Sequence, residues 1–275
     1  MHQSQFLSSL SIAFKLALKS KTHITMFYFV VALVIVVFLV VEFSARQLAT
    51  VSLDVGISMI RLTLPFIVVL LAQELFSREF DKKLNLTSLT YPSSRKTWFF
   101  SRVAVIFFLC FGLLLSMSLL LAIITTYVGS TYQQATPVAL GFPYLVTIAF
   151  IALDLFVVVV IASFIAVSSV TPSFVLIGTL GFTLIARSYS SIIELLKSNP
   201  NTISEYVNPK FYQDSLSMIS FLIPDLGRLD IRMIALYDAM GFLPTNWPML
   251  LMATGLYIIA VLYLSVWILS NREFN

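Results

Sequence analysis

The sequence predicts an all-α polytopic membrane protein with six transmembrane helices. Three observations predict it: 59% of the residues are hydrophobic, only 11% are charged, and the apolar residues fall into long uncharged runs separated by short polar ones. A soluble domain carries about 25% charged residues, so a chain with a mean hydropathy of +0.96 needs lipid as part of its solvent. The net charge of +4 comes from lysines and arginines dispersed between apolar runs. That distribution suits anionic lipid headgroups and argues against nucleic acid as a partner. The single Cys110 lies in an apolar run and excludes an internal disulfide. No short apolar core followed by a small-residue cleavage site opens the chain, so no cleavable signal is expected.

In chain order, residues 5–20 come first. Phe6, Leu10, Ala13, Phe14, Ala17 and Leu18 recur at steps of three and four, with Lys15, Lys19 and Lys21 at the end, the pattern of an amphipathic helix lying in the interface. Residues 22–41 carry no formal charge and are long enough to cross about 30 Å of hydrocarbon, so they form the first span. Glu42, Arg46 and Asp54 mark a short polar connection. Residues 56–73 form the second span, which contains Arg61 and Pro65.

A dense charged stretch follows. Its first half is helix-compatible, and Tyr91-Pro92-Ser93-Ser94 stops the helix, because the residue before a proline is pushed out of the α region. Residues 75–92 are therefore read as a short surface helix and turn. Residues 103–128 make an uncharged third span. Residues 143–170 make a fourth, interrupted only by Asp154 and broken by Thr171-Pro172. Residues 173–187 begin a fifth span, short enough that it must tilt, re-enter in part, or continue through the amphipathic residues 188–196. Residues 188–245 are read as an extracytoplasmic insertion of short helices, among them 215–223 and 231–241, separated by Pro224-Asp225-Leu226-Gly227. Residues 247–270 form the sixth span, with Trp247 and Trp267 at its boundaries.

Lysine and arginine set the orientation. Lys15, Lys19, Lys21, the six basic residues Arg78, Lys82, Lys83, Arg95, Lys96 and Arg102, and Arg272 fall on one side of this topology, while the short loops of the other side hold only Arg46. The basic side is cytoplasmic, with both termini there, as expected for a multi-pass protein of the plasma or inner membrane.

The charged stretch also carries a resemblance. Glu74 at the end of a membrane helix is followed by Arg78, Glu79, Asp81, Lys82 and Lys83, and then by the turn Leu89-Thr90-Tyr91-Pro92-Ser93-Ser94-Arg95 leading into the next span. This order is similar to the first cytoplasmic loop of the ABC-2 type permease family, the membrane subunits of exporter-like ATP-binding-cassette transporters. Many members carry a glycine between the positions of Lys83 and Thr87, which this chain lacks. The resemblance implies a coupling helix at 75–92 that docks on a cytosolic ATPase, with Glu74, Arg78, Glu79, Asp81, Lys82 and Lys83 as docking residues and Pro92 and Arg95 fixing the turn. It also implies an elbow helix at the amino terminus, a homodimeric pathway, and ATP and magnesium bound by the partner subunit.

Catalytic residues are not expected in this chain. It has no Gly-x-x-x-x-Gly-Lys-[Ser/Thr], no His-Glu-x-x-His and no Gly-x-Ser-x-Gly, and its two histidines, His2 and His23, lie outside the later spans. No resident cofactor or metal is expected either. Arg61 and Asp154 are ionisable groups within spans, where each costs at least about 2.5 kcal/mol unless paired or wet. They are expected to face the bundle interior, as a mutual ion pair or along a polar route. Ser116, Ser118, Thr125, Thr126 and Ser163 are weaker candidates for such a route. Two other functions fit the sequence: a secondary carrier using Asp154 as an ion site, and a non-transporting membrane scaffold or assembly factor.

Overall fold

The computed structural model describes residues 2–44, 47–77, 94–131, 138–169, 171–198 and 224–271, and among these it is helical, with no strand. Among the described residues there are eight α-helices in order: α1 (His2–Lys19), α2 (Thr22–Phe43), α3 (Leu48–Ala72), α4 (Arg95–Thr131), α5 (Phe142–Ser168), α6 (Pro172–Ser198), α7 (Met233–Tyr237) and α8 (Trp247–Asn271). Five are long and apolar enough to cross a membrane: α2, α3 with its continuation to Ser77, α4, α5 and α8. The chain is an all-helical membrane protein. The fifth of the six predicted spans, α6, falls outside that set. Its first half is apolar, but Arg187 and the residues after it bring charge and hydroxyls into one unbroken helix.

Two helices form the centre. In α3 and α5, 67% of the most apolar stretch is buried, against 17% in α2 and 22% in α8. Leu53, Ile57, Ile60, Leu64, Ile67 and Leu71 of α3 recur at steps of three and four and are fully or almost fully buried. They meet the matching row of α4, which includes Ile106, Leu114, Met117 and Leu121. The outer helices reverse the pattern: Phe27, Val31, Ile35 and Phe38 of α2, and Met249, Met252, Leu256, Ile259, Tyr263 and Trp267 of α8, are exposed along one stripe each. Apolar stripes of that length are untenable in water and are the lipid-facing surface.

The second span starts earlier than predicted, at Leu48 instead of residue 56. Asp54 belongs to the helix, because its carboxylate meets Arg232 at 2.9 Å, and the Ser52 hydroxyl is satisfied by the Ala49 carbonyl at 2.8 Å. Arg61 thus lies about 20 Å along the helix, at 1.5 Å per residue, instead of near its outer end.

One face of the bundle gathers α1, the end of α3 and the start of α4. The helix α1 packs on α4 and on the π-helical turn Gln73–Ser77 that continues α3. Ala13 and Ala17 are buried there, while Lys15 and Lys19 are exposed. Ser94 caps α4, its hydroxyl accepting from the Thr97 amide at 3.2 Å. The residues between, 78–93, lie outside the described residues, and so do 199–223 with the predicted helix at 215–223. At the opposite face, α4 ends beside the start of α3, and the Ala139 amide donates to the Ala235 carbonyl at 3.0 Å, tying residue 139 to α7.

At Gly56, α3 lies directly against α4. A Cβ built there would lie 2.2 Å from Leu121 Cδ1 and 2.7 Å from Cδ2. Leu121 is itself fully buried, so Gly56→Ala is expected to destabilise the protein by about 1–3 kcal/mol through overpacking. Thermal unfolding in detergent checks this, and Gly56→Ala combined with Leu121→Ala is expected to lose less than the sum of the two single variants.

Candidate functional site

The second span carries its own structural demand. Pro65 has no amide hydrogen, so the carbonyl four residues before it, that of Arg61, has no intrahelical partner. In hydrocarbon an orphan carbonyl costs several kcal/mol, and a neighbouring element must supply the donor. Arg187 of α6 does so: its Nη1 donates to the Arg61 carbonyl at 2.8 Å. Its Nη2 meets Asp154 Oδ2 of α5 at 2.6 Å, and one guanidinium therefore joins α3, α5 and α6.

The Arg61 side chain closes the other half of the site. Its Nη2 lies 3.6 Å from Asp154 Oδ2 and 3.3 Å from the Leu226 carbonyl, and its Nη1 pairs with Asp230. Arg232 holds Asp230 from the far side, Nη2 to Oδ2 at 2.6 Å and Nε to both carboxylate oxygens at 3.0 Å. It also reaches Asp54 at 2.9 Å and the Ser58 hydroxyl at 2.5 Å. Arg61, Arg187 and Arg232 are thus balanced by Asp54, Asp154 and Asp230 in one connected, formally neutral network.

Burial sets the energetics of this arrangement. Asp154 is 1% exposed and Arg61 7%, so neither charge is solvated by bulk water, and removing one partner leaves the other uncompensated. The segment 224–237 makes this placement possible, since it folds inward over α3 and α5 with Leu226, Leu229, Ile231, Ile234, Ala235 and Leu236 buried. Asp238, at φ 50°, ends α7 in the left-handed conformation that Asp tolerates better than most residues. Burial works to raise the Asp230 carboxyl, but hydrogen bonds from Arg232 and the charges of Arg61 and Arg232 outweigh it and hold Asp230 below the ordinary carboxylate range. Its contribution is therefore complete above that range and is lost as pH falls through the lowered value. Arg232 shifts upward: the cost of burial is exceeded by its bonds to Asp230 and Asp54.

The structure brings Arg61 and Asp154 together inside the bundle, and it adds four residues that sequence reasoning did not assign to a site: Asp54, Arg187, Asp230 and Arg232. Pro65 is the sequence signal that could have pointed to them, because a proline within a span frees a carbonyl that needs a donor from elsewhere. The hydroxyls of Ser116, Ser118, Thr126 and Ser163 donate to carbonyls of their own helices, at 2.8, 3.0, 2.7 and 2.8 Å. Thr125 is fully buried, and its hydroxyl has no partner among the described residues.

Of the expected docking residues, Arg78, Glu79, Asp81, Lys82, Lys83 and Pro92 lie outside the described residues. Glu74 sits half-buried in the π-helical turn. Arg95 is the first residue of α4, and its Nη1 donates to the carbonyls of Leu269 and Ser270 at 3.2 and 2.9 Å, placing a cation on the carboxyl end of α8. Arg102, read from the sequence as part of the wet loop, is 4% exposed. Its Nε donates to the Leu75 carbonyl at 3.0 Å, and its guanidinium lies 3.9 Å over the Trp98 ring.

A scan against models of known protein families finds no match, and no curated protein matches the sequence.

Asp154→Asn leaves Arg187 without its carboxylate, while Arg61 keeps Asp230, and is expected to cost about 3–5 kcal/mol of stability. The double replacement Asp154→Asn with Arg187→Gln removes both charges and keeps a side-chain amide to donate to the Arg61 carbonyl, so it should cost less than Asp154→Asn alone, as read from unfolding midpoints in detergent.

Proposed function

We propose that this chain is the membrane permease subunit of an ABC-2 type ATP-binding-cassette transporter, exporting its substrate as a homodimer energised by separate cytosolic ATPase subunits. Helix α6 is the sixth crossing in this reading. It starts beside Gln73, whose Nε2 donates to the Pro172 carbonyl at 2.7 Å, and reaches the charge network at Arg187 about 22 Å further along. Six crossings put both termini on the cytoplasmic side, with α1 as the elbow helix.

One observation carries the proposal: the two described ends of the charged loop are tied to the rest of the bundle by side-chain to carbonyl bonds. Arg102 binds the end of α3, Arg95 binds the end of α8, and Gln73 binds the start of α6. A push on residues 78–93 is thereby delivered to four helices at once, which is the mechanical property a coupling helix needs. The ATPase supplies the push, and Glu74, Arg78, Glu79, Asp81, Lys82 and Lys83 form the contact.

The geometry disfavours the secondary carrier. The Asp154 carboxylate already faces two guanidiniums, and a carboxylate so neutralised makes a poor sodium ligand.

Glu79→Lys with Asp81→Lys is expected to abolish co-purification with the ATPase and substrate-stimulated ATP hydrolysis, while the stability of the spans stays within about 1 kcal/mol of the unaltered protein. Retained co-purification and coupling would contradict the assignment.

A further inference from the structure

Beside the ion network lies a cavity of about 380 Å³ whose lining includes Arg61, Arg187, Arg232, Asp230, Ser58 and Ser191. That volume is within the range of small-molecule sites. Among the described residues its wall carries three guanidiniums against one carboxylate. The balancing Asp154 is buried behind the wall, and Asp54 is not part of the lining. The Nε–H groups of Arg61 and Arg187 have no acceptor among the described residues, although Arg61 is more than nine-tenths buried and a buried donor without an acceptor is costly. The Ser58 hydroxyl accepts from Arg232 and keeps its own hydrogen to donate. Among the described residues that line it, the one anion is Asp230, pinned by Arg61 and Arg232 and carried on the inserted segment instead of on a membrane helix.

We propose that this cavity binds a phosphate group, carried by a solute or by a lipid headgroup, and that the Asp230 carboxylate is its internal stand-in. A phosphate takes the fork of Arg232 and the Arg61 Nη1 in place of Asp230, and its further oxygens accept from the Ser58 hydroxyl and the Arg187 guanidinium, which also line the cavity. Release of Asp230 removes one of the ties between the segment 224–237 and α3, leaving those of Arg232 to Asp54 and Ser58, so occupancy of the site and the position of that segment are linked. The proposal is independent of how transport is energised.

The test uses the full chain. In detergent, the unfolding midpoint is measured against inorganic phosphate, with chloride at matched ionic strength as the control. In nanodiscs, phosphatidylcholine is compared with phosphatidylcholine containing phosphatidic acid. A saturable, phosphate-specific rise identifies a solute phosphate, and a rise seen only with phosphatidic acid identifies a headgroup. In either case Asp230→Asn, which removes the competitor, is expected to lower the half-saturating concentration by about tenfold, and Arg187→Gln to raise it by about tenfold. Asp230→Asn keeps the side-chain shape, so it tests the site even if arginine variants fail to fold. No response to either probe in the unaltered protein and in Asp230→Asn, or no tighter binding in Asp230→Asn, overturns the proposal.

Discussion

Charge neutralisation at bilayer depth is the constraint around which this molecule is built. An arginine and an aspartate in the middle of two apolar helices are each prohibitive alone, and the fold satisfies them jointly. Pro65 opens the carbonyl of Arg61, Arg187 crosses from α6 to fill it, and the same guanidinium neutralises Asp154. Each step needs the previous one, so α3, α5 and α6 are locked in register by a chemistry that non-directional apolar packing in lipid cannot supply.

The inserted segment completes the balance. Asp230 and Arg232 arrive on residues 224–237, bind Arg61 and Asp54, and bury apolar neighbours against α3 and α5 as they do so. The two faces of the bundle are accordingly different in kind. One face ties helix ends together through Arg95, Arg102 and Gln73 on backbone carbonyls. The other holds a polar cavity whose walls come from α3, α6 and the segment. A movement imposed at the first face reaches the second through continuous helices, since α3 ends in the turn held by Arg102 and carries Arg61 at its middle.

How much of this was legible from residues alone follows from where charge stands out. Arg61 and Asp154 interrupt apolar runs and announced themselves as interior groups. Asp54 and Arg187 did not, because each lies where an apolar run gives way to polar residues, and there a charge reads as the edge of a loop. The helices run through both positions because partners from distant segments remove the cost. Asp230 and Arg232 were hidden more deeply, in a mixed-sign interval that looked solvent-facing. Arg102 was misread for the mirror reason: a cation in a basic loop looks wet, yet here Trp98 and the Leu75 carbonyl give it a buried seat.

The central claim is that residues 224–237 are seated inside the bundle by the bonds of Arg61 to Asp230 and of Arg232 to Asp54. Hydrogen–deuterium exchange on the full chain in lipid nanodiscs at neutral pH tests it directly. The account predicts strong protection of the amides of Leu226, Ile234 and Leu236 in the unaltered protein, reduced selectively in Asp230→Ala while α4 and α8 stay protected. Full exchange of those amides in the unaltered protein at the rate of an unstructured chain would contradict it.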